Sequence, residues 1–248
     1  MTGECLILPY ADSDGPGNMA RDLALLDLAT DGRSAAVRTY GWSQPTLSLG
    51  YFQNSAEVAR DPRWRGAAIV RRPTGGGAIW HDIEVTYSVA LNCDHPFARR
   101  VGALYQAIHV AIASMLNDHG MKAHLRGVVD GVREGKRPFL CFLDRDRADI
   151  VMDGYKIVGS AQRRRLGALL QHGSLLLGRS PRTPELPGVH DLADATQDPT
   201  YWATLLEDCL VRTLELEPCE GEWTSELNAH VHATEKSVFR DRAWTHRR

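Results

Sequence analysis

The chain has few cysteines and no motif that would organise them. Five are spread over 248 residues, an odd number without a CxxC pair, so neither a disulfide framework nor a metal site is expected. No apolar run approaches the roughly 18 residues that span a bilayer. The N-terminus, with an acidic residue and a short apolar patch, does not resemble a signal peptide. We therefore predict a cytoplasmic protein that does not enter a membrane.

The sequence also lacks an excess of charge of either sign. Its 29 basic and 31 acidic residues give a formal net charge of −2, which provides no general attraction to nucleic acid or to an anionic membrane. Neither nucleotide-binding pattern, GxxxxGK[ST] or GxGxxG, is present. The composition, 43% hydrophobic and 24% charged, is ordinary for a globular protein.

What the sequence does contain is the pattern of an α+β domain. Apolar and polar residues alternate over residues 84–91, which predicts a half-buried strand. Helical spacing predicts helices over residues 101–116 and 202–214, and a third from the N-cap Asn18 to about Ala29. No repeat or clear linker is visible. We expect one domain over residues 1–238 and a loose polar tail over 239–248.

Asp153-Gly154, between two apolar runs, predicts a two-residue β-hairpin. Its register would place Lys156 opposite Val151 and Ile157 opposite Ile150.

Cys141 and Lys156 are a thiol and an amine fifteen residues apart. Taken singly, Cys141 is best interpreted as a packing residue among apolar neighbours, and Lys156 as a surface lysine that pairs with Asp149 or Asp153. If the two meet in space, the ammonium would favour the nucleophilic thiolate, and an acyl-transfer enzyme is predicted. Sequence spacing alone does not establish that contact.

The run Arg71-Arg72-Pro73-Thr74-Gly75-Gly76-Gly77 could hold a ligand. Three glycines allow positive φ and a close backbone approach, and two arginines can bind phosphate or carboxylate. A glycine-rich turn between strands is an equally good interpretation. His81 stands beside Asp82, but adjacent strand residues point to opposite faces. We favour a structural or ligand-lining role for His81, and likewise for His172.

Taken together, several segments resemble the biotin/lipoate protein ligase catalytic-domain superfamily. The resemblance covers roughly residues 5 to 180. The matching segments, in order, are residues 18–22, 45–53, 70–78, 81–82, 159–162 and 171–174. It implies a single catalytic domain with mixed, largely antiparallel sheets flanked by helices, and a lipoyl or octanoyl pocket under the Arg71–Gly77 loop.

The resemblance also implies roles for individual residues. Cys141 would carry an acyl thioester and Lys156 would tune its thiol, while backbone N–H groups of Gly159–Ala161 would stabilise the oxyanion. No cofactor is implied for this reaction. The substrate-binding set would comprise Arg71, Arg72, Thr74, Gly75, Gly76, Gly77, His81, Gly159, Ser160, Ala161 and His172.

Within that superfamily the sequence most resembles the octanoyl-[acyl carrier protein]:protein N-octanoyltransferase branch. The donor would be octanoyl-acyl carrier protein. The acceptors would be lipoyl domains, such as glycine cleavage H protein or 2-oxoacid dehydrogenase subunits. Alternatives are a lipoate–protein ligase using ATP and Mg, a lipoyl or octanoyl amidotransferase, and a non-catalytic binding homologue. Gly75-Gly76-Gly77 looks more like the ligases, whereas Cys141 favours the transferase.

Overall fold

The computed structural model describes residues 3–30, 34–128, 137–144 and 146–248. The strands within these residues are Glu4–Ser13 (β1), Ser34–Trp42 (β2), Thr46–Leu49 (β3), Ala68–Arg71 (β4), Ile79–His81 (β5), Glu84–Asn92 (β6), His124–Leu125 (β7), Ile150–Met152 (β8), Tyr155–Arg165 (β9), Ala168–Leu176 (β10) and Glu217–Glu220 (β11). The α-helices are Gly15–Thr30 (α1), Pro96–Arg99 (α2), Ala103–Asp118 (α3), Val189–Leu192 (α4), Pro199–Leu214 (α5), Ser225–Thr234 (α6) and Arg242–Thr245 (α7).

Two sheets organise the domain. The large sheet has the order β11-β1-β2-β6-β10-β9-β8-β7, and the small sheet has the order β4-β3-β5. In the large sheet β1 pairs in parallel with β11 and β2, and the remaining pairs are antiparallel. The small sheet has one parallel and one antiparallel pair. The prediction of an α+β fold with mixed, largely antiparallel sheets is therefore confirmed.

Helices cover both faces of the large sheet. The larger core packs the sheet against α3 and α5, and a second core packs its other face against α1 and α6. Strand β6 is consequently buried along almost its whole length, so the prediction of a half-buried strand is wrong. Its polar residues Glu84, Thr86 and Ser88 are buried and hydrogen-bonded to other side chains rather than facing water.

The start of α1 also differs from the prediction. The helix begins at Gly15, and Asp14 accepts a hydrogen bond from the Gly17 N–H. Asn18 is therefore inside the helix rather than its N-cap. Its buried side chain donates to the carbonyls of Ser13 and Gly41, joining α1 to the end of β2.

The expected loose tail over residues 239–248 is a packed element. Phe239 is buried, and Thr245 lies in the short helix α7. The Arg71 guanidinium donates to the Thr245 carbonyl, and the Trp244 indole donates to the Arg71 carbonyl. The polar composition of this segment concealed the apolar side chains Phe239 and Trp244, which anchor it.

The hairpin at Asp153-Gly154 is present. Both turn residues have positive φ, 50° and 81°, as a type I′ turn requires. Lys156 pairs with Val151 as predicted, but a bulge shifts Ile150 to Val158 rather than Ile157. Within the described ranges, no helix combines the length and apolar character needed to cross a bilayer.

Candidate active site

Cys141 lies directly beneath the glycine loop. It opens a short 3-10 turn, Cys141–Leu143, and its N–H donates to the Ala78 carbonyl at 2.7 Å. A Cβ atom on Gly77 would lie 3.0 Å from the Cys141 nitrogen, and one on Gly76 would lie 3.8 Å from its sulfur. Gly76 also has a φ of 95°, which favours glycine. The loop thus needs glycine both for its conformation and for close contact with the cysteine.

Lys156 reaches Cys141 from strand β9. Its Nζ lies 3.7 Å from the Cys141 Sγ and 3.3 Å from the Cys141 carbonyl oxygen. Nζ also forms a 2.9 Å ion pair with Asp149, and the two side chains are only 4% and 1% exposed. The interpretation of Lys156 as a surface lysine is therefore wrong, although its pairing with Asp149 is correct.

The position of the Lys156 side chain explains why residue 159 in β9 is a glycine. A Cβ atom on Gly159 would lie 2.4 Å from Lys156 Cε and 2.8 Å from Nζ. Both distances are far below van der Waals contact, so the lysine can run across this position only because it is glycine.

Cys141 stands between two spaces. An inner cavity of about 420 Å³, including its part open to solvent, extends from Cys141 under the glycine loop. Its walls combine apolar side chains with the candidate binding residues, and they are Met19, Tyr40, Trp42, Arg72, Gly76, Ile79, His81, Thr86, Cys141, Gly159, Ser160, Ala161, His172, Gly173 and Ser174.

An outer groove lies on the other side of the same cysteine. It is more open, encloses about 1030 Å³ with its solvent-exposed part, and is lined largely by polar residues. Lys156, Asp149 and Tyr105 line this groove, whereas Cys141 and Ser160 line both spaces. The groove and the cavity therefore meet at Cys141.

The two arginines of the loop have different positions. Arg71 does not line the cavity. Its guanidinium donates to the carbonyls of Gly50, Tyr51, Gln53 and Thr245, and burial lowers its pKa. These contacts hold the loop and the C-terminal helix together.

Arg72 lines the cavity and is hydrogen-bonded to the backbone of the glycine loop. It donates to the carbonyls of Gly75 and Gly77 at 2.7 and 2.6 Å. Burial lowers its pKa to about 10, and the nearby Cys141 acts in the opposite direction. Arg72 therefore remains a cation at neutral pH, close to the thiol.

Two buried histidine–carboxylate pairs lie along the cavity, and we call the four side chains the histidine cluster (His81, Glu84, His172 and Asp22). In the first pair, the His81 Nδ1 donates to Glu84 at 2.7 Å, and the ring stacks on Trp42 with centroids 3.8 Å apart. Burial lowers the pKa of His81, so its neutral Nε2 can accept the Ser48 hydroxyl, 2.8 Å away.

In the second pair, the His172 Nδ1 donates to Asp22 at 2.8 Å, and its Nε2 is hydrogen-bonded to Thr74 at 2.6 Å. Asp22 also accepts from Ser88 and faces Arg38. Burial alone would raise the pKa of Asp22, but the His172 hydrogen bond and the Arg38 charge outweigh it and lower that pKa. The pair ties α1, β10 and the glycine loop together.

Ser160 connects the cavity to residues that sequence reasoning missed. Its N–H donates to the Tyr105 hydroxyl at 3.2 Å, and its hydroxyl contacts His109 Nε2 at 2.6 Å and Tyr87 at 2.5 Å. Burial lowers the pKa of His109 to about 4, so its Nδ1 donates to the Ala148 carbonyl while Nε2 accepts from Ser160. The Ser160 N–H expected to stabilise an oxyanion is therefore already paired.

A sequence signal for part of this network exists. Tyr105 and His109 are one helical turn apart on α3, so both point to the same side. Likewise, Glu84, Thr86 and Ser88 share one face of β6. Among the described residues, no group of three His, Cys, Asp or Glu side chains is arranged to hold a metal ion.

Comparison with known proteins identifies the family to which this sequence is similar. The sequence model of the lipoyl protein ligase A/B catalytic domain matches residues 14–183. The octanoyltransferase LipM of Geobacillus kaustophilus is 41% identical over 170 residues, which is 64% of this chain and 60% of that protein. The octanoyltransferase LipM of Moorella thermoacetica is 40% identical over 177 residues, 69% of this chain and 64% of that protein. The chain thus matches somewhat less than two thirds of these relatives' length.

Solved structures support the fold. A putative lipoate protein ligase from T. acidophilum with bound lipoic acid superposes with a TM-score of 0.78 at 22% identity, covering 100% of both chains. A lipoate-protein ligase A bound with ATP gives a TM-score of 0.77 at 23% identity, covering 99% of both chains. At such identities the likeness concerns the architecture.

Proposed function

The chain belongs to the lipoyl protein ligase A/B catalytic-domain family, and we propose that it is an octanoyltransferase that works through a Cys141 thioester. The donor is octanoyl-acyl carrier protein and the acceptor is a lysine of a lipoyl domain, in lipoate biosynthesis. The names of the octanoyltransferase relatives support the transfer of an octanoyl group. A cytoplasmic location remains a prediction from the sequence.

The observation that carries the proposal is the 3.7 Å approach of the Lys156 Nζ to the Cys141 Sγ. A buried ammonium beside a sulfur stabilises the thiolate, which is the nucleophilic form. The Arg72 cation lies on the cavity side of the same cysteine. The site therefore combines a nucleophile with positive charge where negative charge forms during attack.

In the first step the Cys141 thiolate attacks the thioester carbonyl of the donor. A new carbon–sulfur bond forms, the carrier's thiolate leaves, and it takes up a proton. In the second step the neutral amine of the acceptor lysine attacks the octanoyl-enzyme. An amide forms, the amine loses a proton, and the Cys141 thiolate is released. The conversion of thioester to amide is downhill, so the reaction needs no nucleotide.

The two spaces around Cys141 suit these steps. The octanoyl chain would occupy the inner cavity beside Met19, Tyr40, Trp42 and Ile79, each buried methylene contributing roughly 0.8 kcal/mol. The outer groove would admit first the donor arm and then the acceptor lysine. Both steps thus take place at Cys141, where the cavity meets the groove.

Gly75-Gly76-Gly77 favours a second candidate, an ATP-dependent lipoate–protein ligase, because this triplet looks more like the ligases. In that reaction Lys156 would contact the activated acid, ATP and Mg would be required, and Cys141 would be dispensable. A lipoyl or octanoyl amidotransferase would use the same thioester chemistry with a modified protein as its donor.

Intact-protein mass spectrometry distinguishes these candidates. The protein is mixed with octanoyl-acyl carrier protein without ATP, and we expect a mass increase of one octanoyl group that the Cys141→Ala variant lacks. Addition of a lipoyl domain should remove this group. A ligase would instead form AMP from ATP and octanoate, and would keep its activity in Cys141→Ala. That result would refute the transferase.

A further inference from the structure

Lys156 has more than one partner, and the sulfur is not the nearest. Its Nζ lies 2.9 Å from Asp149 Oδ2, 3.3 Å from the Cys141 carbonyl oxygen and 3.7 Å from Sγ. An ammonium has three N–H donors, so these three contacts can exist together. The carboxylate is therefore the strongest constraint on the position of the nitrogen.

Asp149 is itself held firmly. Its Oδ1 accepts the Tyr105 hydroxyl at 3.1 Å, and its Oδ2 accepts the Asp146 N–H at 2.6 Å as well as the Lys156 ammonium. Tyr105 in turn accepts the Ser160 N–H. A continuous chain of hydrogen bonds thus runs from the cavity wall at Ser160 to Lys156.

We propose that Asp149 is a positioning residue for the thiol chemistry: it fixes the Lys156 ammonium at Cys141, and Tyr105 fixes Asp149 to the cavity wall. This inference rests on the proposed function. Asp149 acts through Lys156 and does not touch the sulfur.

The physical reason is the flexibility of lysine. Its side chain has about 2 kcal/mol of rotamer entropy, so a lysine without a partner would spend little time within contact distance of one sulfur. A carboxylate next to the ammonium also opposes the field of that ammonium at the sulfur. The geometric role and a purely electrostatic role of Asp149 therefore predict opposite effects of removing its charge.

Alkylation of Cys141 by iodoacetamide tests this without the transfer reaction. Its rate is followed against pH by mass spectrometry of the Cys141 peptide, in the wild type, Lys156→Met, Asp149→Asn and Tyr105→Phe. If Asp149 positions Lys156, the Asp149→Asn profile moves to higher pH and approaches that of Lys156→Met. We expect an alkylation rate about tenfold lower at pH 7.

Tyr105→Phe should move the profile in the same direction by a smaller amount, and it provides a test if Asp149→Asn does not fold. Asp153→Asn is the matched control, since it makes the same change at the exposed hairpin turn, where φ is 50°. The other ionisable side chains around Cys141 are unchanged in every variant. They are Arg72, His81 and His172 at the cavity, Arg137, Asp144, Asp146 and Arg147 at the groove, and the neutral His109 behind Ser160.

The outcomes separate the two proposals. If Asp149→Asn alkylates like the wild type, or at lower pH, while Lys156→Met shifts upward, the role of Asp149 is refuted and the Cys141–Lys156 pair stands. If Lys156→Met also alkylates like the wild type, Lys156 does not activate the thiol, and both the pair and its positioning are refuted.

The transfer reaction gives a second readout for Asp149→Asn. Octanoyl-enzyme formation should fall about tenfold in kcat, because the ammonium is no longer held at the sulfur. A variant that was only less stable would keep its kcat per folded molecule.

Discussion

The thiol cluster (Cys141, Lys156 and Asp149) and the histidine cluster both contain buried, paired ionisable groups, yet they differ in what they can reach. In the thiol cluster, Cys141 lines both the cavity and the groove. In the histidine cluster, the ring nitrogens and carboxylates bond mainly to protein hydroxyls and to one another. Buried charge pairs alone therefore do not identify a reactive centre; a nucleophile with access from two sides does.

The largest expected effect comes from the thiol. Cys141→Ala should lower octanoyl transfer to a lipoyl domain more than about 10³-fold, because no acyl-enzyme can form. Urea denaturation should show a stability close to that of the wild type. The matched control is Cys219→Ala on the edge strand β11, which should keep the wild-type rate. If Cys141→Ala kept even a tenth of the wild-type transfer rate, the thiol cluster would not be the reactive centre.

Asp22→Asn should have its main effect on stability. Removing the charge from this buried site breaks its pairing with His172 and Arg38, and the expected cost is about 3 kcal/mol at pH 7. The folded-state pKa of Asp22 is lowered, so its charge contributes above the ordinary carboxyl pKa and is lost as pH falls through the folded-state pKa. The difference between the urea midpoints of wild type and variant should therefore shrink as pH falls below the ordinary carboxyl pKa. Equal midpoints at pH 7 would contradict this account.

His109, behind Ser160, should make the wild type sensitive to acid. Its folded-state pKa is about 4 against an ordinary 6.5, so stability is full above pH 6.5 and falls as pH decreases towards 4. The expected loss is about 3 kcal/mol at pH 4. Urea denaturation between pH 7 and 4 should show a flatter dependence for His109→Gln. His232→Gln, on the exposed side of α6, should keep the wild-type slope.

The smallest expected effect is the most specific to the thiol cluster. In Gly159→Ala the new methyl group displaces the end of the Lys156 side chain from both Asp149 and Cys141. Acyl-enzyme formation should slow about tenfold because the ammonium leaves the sulfur. A rapid-mix mass measurement gives this rate. In the Lys156→Met background, Gly159→Ala should cause no further loss, and an additive loss would place its effect elsewhere.

How far the sequence predicted the fold is seen in two strands. Alternation correctly identified β6 as a strand, and Asp153-Gly154 correctly located the β8–β9 turn. The burial of both faces of β6 was not predicted, because the covering helix α1 comes from a distant part of the chain. The bulge at Ile150 was also missed, since no local residue pattern marked it.

The structure of the C-terminal segment also depends on contacts with residues far away in the sequence. Its charged composition predicted a loose tail, but the backbone of Thr245 accepts from the buried Arg71 guanidinium, which lies 174 residues away in the chain. Arg71 itself was predicted to bind substrate, and the structure places its donors on protein carbonyls. Side-chain type indicated hydrogen-bonding capacity, but not which partner would use it.

By itself, the sequence determined the local structure around the site: the strand face of Lys156, the glycine loop and the order of the family segments. Tertiary structure decided that Lys156 is buried against Asp149 and within 3.7 Å of Cys141. The physical reason is that the position of Cys141 depends on its pairing with Ala78 across more than sixty intervening residues, at 2.7 Å. Local periodicity carries no information about such a long-range contact.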